Sequence, residues 1–134
     1  MIVVWPSAIP VARLILKSKQ DWLGCTRFAT GMAGGALTGT FIRLSVMGGA
    51  PDNLVQQSTR ILFECYAPSD TEAEGLARRA AGLLTSVRGE YVGTAWVYRV
   101  DLTSGVTEYY DGTRQLYRYQ FEAAIRLRGE EATS

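Results

Sequence analysis

Residues 114–129, RQLYRYQFEAAIRLRG, alternate between two kinds of side chain. Tyr117, Tyr119, Phe121, Ala123, Ile125 and Leu127 form one row; Arg118, Gln120, Glu122, Ala124, Arg126 and Arg128 form the other. A period of two held this long demands a β-strand with one apolar face. That face demands a sheet and a second layer to cover it. What meets the arginine-bearing face is the functional question.

The covering layer is also written in the sequence. In APSDTEAEGLARRAAGLLTSV, Ser69 and Glu72 form a capping box after Pro68, and Asp70 and Glu72 suit the positive end of a helix. Ala73, Leu76, Ala77, Ala80, Leu83, Leu84 and Val87 recur at helical spacing, while Glu74 and Arg78 can pair on the wet side. Residues 7–19 read as an earlier helix, with Ser7 as cap, Pro10 in the first turn, and Val11, Leu14 and Ile15 sharing a face. Residues 24–40, rich in glycine, read as an irregular connection.

FIRLSVM alternates, with Ile42, Leu44 and Val46 opposite Arg43 and Ser45; TRILFECYA is a second strand, and the pair makes a hairpin with a long polar tip. TAWVYRVDL places Trp96, Tyr98 and Val100 on one side; VTEYY and the last strand flank Asp111-Gly112, a favoured hairpin turn. The expected fold is a single α+β domain over residues 1–134: a mixed, largely antiparallel sheet with two helices packed on one face.

Composition narrows the function classes. Apolar residues make up 47% of 134, enough for a core, and 14 basic residues nearly balance 13 acidic ones. A dedicated nucleic-acid binder needs a clear basic excess. Cys25 and Cys65 form no disulfide framework or zinc pattern, and Cys65 continues the apolar row Thr59, Ile61, Phe63. Prolines 6 and 10 interrupt the apolar start, which has no basic leader and lacks membrane-spanning length; the expectation is a soluble intracellular product with no membrane partner. There is no histidine, which excludes histidine-based nucleophile pairs and the commonest transition-metal ligand. The glycines match neither phosphate-binding nor dinucleotide fingerprints. Asp70, Glu72 and Glu74 are explained by capping, and nothing in the spacing of Asp101, Glu108 and Asp111 asks for a paired-carboxylate hydrolase. No catalytic residue, metal site or cofactor is expected.

The arginine row has three readings. A solvated sheet face is the default. Nucleic acid needs aromatics and cations on one surface, whereas the tyrosines of this strand point away from its arginines. A protein interface suits a chain with twelve arginines and two lysines.

The order of elements resembles the tail terminator proteins of long-tailed phages, especially those infecting actinobacteria. The resemblance covers residues 41–129. It is carried by a strand ending in Gly48-Gly49, a polar tip with Asp52, a strand with Glu64 and Tyr66, the capped helix with Glu72, Ala73, Leu76 and Ala77, and the closing RYQFEAAIRLRG. The Gly-rich segment before the first strand and the meander DLTSGVTEYYDGTRQ depart from it. The resemblance implies a structural protein of the virion, made in the host cytoplasm and placed at the tail–neck junction. It would form a ring, usually hexameric, on the head-proximal end of the tail tube. There it would stop addition of the major tail tube protein and offer a surface to the head–tail connector protein. Genomic DNA would pass through the lumen without sequence-specific binding. On that reading the tip, with Gly48, Gly49, Asp52, Asn53, Gln56 and Gln57, touches the last tube ring or a neighbouring subunit. Part of the row Arg118, Gln120, Glu122 and Arg126 lies at a subunit boundary or faces the lumen. An ordinary loop accounts for the tip equally well. A head-completion or stopper protein of the neck, and a small nucleic-acid-binding domain, are the alternatives.

Overall fold

A computed structural model describes residues 2–30, 39–51, 56–109 and 116–131. The elements run β1 (Val3–Val4), α1 (Ala8–Lys17), α2 (Gln20–Leu23), β2 (Phe28–Thr30), β3 (Phe41–Pro51), β4 (Gln56–Ala67), α3 (Asp70–Thr85), β5 (Arg88–Val92), β6 (Ala95–Glu108), β7 (Tyr117–Arg128) and β8 (Glu130–Glu131). One sheet has the order β2-β3-β4-β7-β6-β5, and β1 pairs with β8 in a small ribbon. All pairings are antiparallel except β2 with β3. This is the α+β architecture expected from the sequence.

β7 lies near the middle of the sheet and alternates as its pattern demands. Tyr119, Phe121, Ala123, Ile125 and Leu127 are buried, and the residues between them are half-buried. They meet Ile61, Phe63 and Cys65 of β4 and Ile42 and Leu44 of β3 in one core. Phe63 and Phe121, register partners, stack with centroids 4.9 Å apart. α1 and α3 close this core from one side. Ser69 Oγ accepts the Glu72 amide at 3.2 Å, and Ala73, Leu76, Ala77, Ala80, Ala81 and Leu84 are buried. Arg78 pairs with Glu74 at 2.9 Å on the wet side. In α1 the buried stripe is Ala8, Val11, Ala12, Ile15 and Leu16, so Leu14, expected inside, is 48% exposed. Ser7 stands at the N-cap without a side-chain cap bond.

Four further differences have physical causes. Residues 24–40 are not wholly irregular: Gly24 closes α2 at φ 73°, and Phe28–Thr30 pairs parallel with β3. Three residues are too few to declare a period. β5 escapes the pattern because Gly89 and Glu90 interrupt it; a two-residue turn at Gly93-Thr94, with Gly93 at φ 61°, joins it to β6. β6 is one strand where two were expected. Its register shifts between Val97 and Arg99, so Ala95, Val97 and Val100 enter the core while Trp96 and Tyr98 remain half-buried. One extra residue in a strand reverses the face of everything after it. Val46, expected beside Leu44 in the core, is 56% exposed although it keeps the regular register opposite Ile61, the last pair before the shift at Gly48. The turn expected at Asp111-Gly112 lies outside the described residues.

Candidate functional site

The outer face of the sheet, opposite the helices, carries the arginine row. Its two ends differ.

At the Arg118 end the face is closed. Phe41 and Tyr66 are register partners, stack at 4.5 Å and join Leu116 in a second apolar cluster. Glu64 is buried beside them at 5% exposure. Arg118 Nη1 donates to Glu64 Oε2 at 2.8 Å and to the Tyr66 hydroxyl at 3.0 Å, and that hydroxyl donates to Glu64 Oε2 at 3.2 Å. Arg43 approaches the other carboxylate oxygen at 3.8 Å, and Tyr109 places its ring 4.1 Å from the Arg118 guanidinium. Burial pushes the Tyr66 phenol up, against the lowering effect of Arg118. Arg118 is therefore held inside a buried network, not laid on a solvated face. Gln120, the register partner of Glu64, continues the same row.

Midway, Glu122 pairs with Arg60 at 3.4 Å. Beyond it the face opens. Arg126 stands across from Ser58 on β4, with Nε 3.5 Å from the hydroxyl, and across from Arg99 on β6. Arg128 donates to the Tyr91 hydroxyl at 2.9 Å and lies over the rings of Tyr91 and Trp96, which meet edge to face at 4.9 Å. Aromatic rings and arginines thus share one surface after all. The opposite expectation holds inside β7 and fails across the sheet, because the rings come from β5 and β6. Sequence reasoning missed this grouping; the signal was the Val92–Ala95 turn, which brings Tyr91 onto Trp96.

The tip residues have local roles where they are described. Gly48, at φ 134°, sits at the register shift of β3. At Gly49 a Cβ would stand 2.5 Å from the Ser58 carbonyl oxygen, so only glycine lets β3 approach β4 there. Gln56 and Gln57, half-buried, open β4 opposite Arg128 and Leu127 of β7. Asp52 and Asn53 lie outside the described residues.

Among the described residues no group of three His, Cys, Asp or Glu side chains is placed to hold a metal. Asp101 is engaged by Arg99 at 2.6 Å, and Asp111 lies outside the described residues. Cys65 is fully buried and its thiol is pushed well up, chiefly by burial. Two open hollows of about 380 Å³ flank the end of α3, one beside Trp22 and Leu83, the other between Leu14, Val87 and Val92. No helix among the described residues is long and apolar enough to cross a membrane.

No protein-family model and no curated protein matches the chain. Among solved structures, it is similar to a chain in the virion of a native gene transfer agent particle, with a TM-score of 0.68 and 13% identity. The likeness covers 90% of this chain and 94% of that one, so the two share their fold nearly end to end.

Proposed function

We propose that this protein is a structural component of a phage-like virion and acts as a tail terminator. In this reading it forms a ring on the head-proximal end of the tail tube, stops tube growth and presents a surface for head–tail joining. The observation that carries the reading is the end-to-end fold likeness to a chain of a gene transfer agent virion. The order of elements in residues 41–129, which resembles tail terminators, supports the finer assignment independently of that likeness. The surface chemistry is compatible with it. The arginines, tyrosine and tryptophan of the outer face are residue types that protein interfaces favour. The protein works by shape and surface contacts, and no bond is made or broken.

The test is a tube-assembly reaction. Purified chain added to polymerising tail-tube subunits should cap the tubes and fix their length, and labelled protein should sit at one tube end by electron microscopy. Tubes of unchanged length with no bound protein rule the terminator out. Binding to the head connector instead of the tube moves the assignment to a neck stopper.

A further inference from the structure

β5, β6 and β7 set three arginines side by side on the outer face. Arg88 is the register partner of Arg99, and Arg99 is the register partner of Arg126. Directly opposed side chains stand about 5 Å apart on one face, where like charges repel. Asp101 engages Arg99, but the Arg99 side chain stays 47% exposed, and Arg88 is exposed. Beside the row lie Arg128, Tyr91 and Trp96, the residue types that dominate binding hot spots.

The same chain carries a complement. Tyr119 donates its hydroxyl to Asp70 at 2.8 Å; that bond, with Glu108 and Glu74 nearby, pushes the phenol up. Asp70 and Glu108 are exposed, and Glu74 stands one helical turn on from Asp70. The first turn of α3 and the end of β6 thus form an acidic patch on the helix side. Along β4, Ser58 and Ala67 mark the two ends, roughly 30 Å apart at 3.3 Å per residue. The row and the patch occupy opposite faces and opposite ends, so they cannot meet within one molecule. Between two copies they make a head-to-tail contact, the kind from which rings close. A formal net charge of only +1 favours an acidic protein surface over a polyanionic nucleic acid.

We infer that the row Arg88, Arg99 and Arg126 docks on the acidic patch of Asp70, Glu74 and Glu108 in a second copy of this chain. The inference rests on the ring proposed above and names its contact.

Sedimentation velocity of the full chain, taken to millimolar protein, reads the contact directly. Association should appear at low salt and weaken as salt rises. A variant with Arg99→Glu and Arg126→Glu, and another with Glu74→Arg and Glu108→Arg, should each associate at least about tenfold more weakly. Mixing the two should restore association, a recovery that misfolded variants could not give. A wild-type chain that stays monomeric throughout overturns the inference, as do reversed variants that associate like the wild type. So does an arginine variant whose only loss is salt-sensitive binding to a short DNA duplex, which marks the row as a phosphate surface. Tube capping is a separate readout. Capping without this association leaves the terminator standing and removes the contact; association through these patches without capping does the reverse.

Discussion

Arg118 and Arg126 sit eight residues apart in one strand, in the same row, with the same side chain, and meet opposite surroundings. Arg118 faces Tyr66 and reaches a carboxylate that is almost completely buried. Arg126 faces another arginine across β6. The alternation of β7 fixes which face an arginine occupies, but the neighbouring strands decide what it does there. At the closed end the charge belongs to the fold, since a buried carboxylate left without its partner is expensive. At the open end like charges face one another across the strands, and the contact inferred above would give them a use outside the subunit.

The sharpest way to break this contrast is to remove the closed-end arginine. Arg118→Ala leaves Glu64 with the Tyr66 hydroxyl and the more distant Arg43. Unfolding free energy should drop by about 3 kcal/mol, the cost typical of stranding one member of a buried ion pair. Denaturant titration measures it. Pairing Arg118→Met with Glu64→Gln should recover most of the loss, because the buried carboxylate is then gone as well. A single-variant loss below about 0.5 kcal/mol would mean that Glu64 is hydrated and the end is not closed.

A smaller effect comes from Tyr66→Phe, which deletes the hydroxyl standing between Arg118 and Glu64. About 1 kcal/mol is expected, the usual net worth of such a bond. Its pH dependence adds a sign. The folded phenol is raised above 10.0, so as pH climbs past that value the unfolded chain releases its proton first. The contribution from Tyr66 is intact below pH 10.0 and falls above it. Cys25 and Cys65, raised above 9.0, and Tyr119 push in the same direction. The Phe variant should therefore lose stability less steeply in alkali than the wild type while keeping part of the decline.

The closed end was only partly legible in the sequence. The core row of β7 and the capped α3 could be read because each repeats its signal several times within one element. Phe41, Glu64 and Tyr66 could not be read as a cluster. Each looked like an ordinary residue on the polar side of its own strand, and only the registers Phe41–Tyr66 and Tyr66–Arg118 bring them together. The same holds for Arg88, Arg99 and Arg126, which share no sequence spacing. The register shift between Val97 and Arg99 hid them further, because it puts Arg99 on the outer face while Val97 and Val100 both point inward. A pattern within a strand is local information, whereas a site on a sheet is built perpendicular to it.

The smallest effect sharpens the comparison from the open end. Arg88→Gln removes one member of the opposed row at the exposed edge strand. If folding uses the charges as it uses Arg118, the substitution should cost stability. If the row is a repulsive arrangement kept for an outside partner, the isolated subunit should be unchanged or stabilised by up to about 0.5 kcal/mol. Salt separates the two cases. Screening weakens repulsion between exposed charges, so the gain from Arg88→Gln should be largest at low ionic strength and vanish at high. Thermal unfolding at dilute protein, where copies do not meet, provides the measurement. A loss of stability that grows as salt is removed would place Arg88 in an attractive pair inside the subunit. The two ends of the row would then differ in degree of burial and not in purpose.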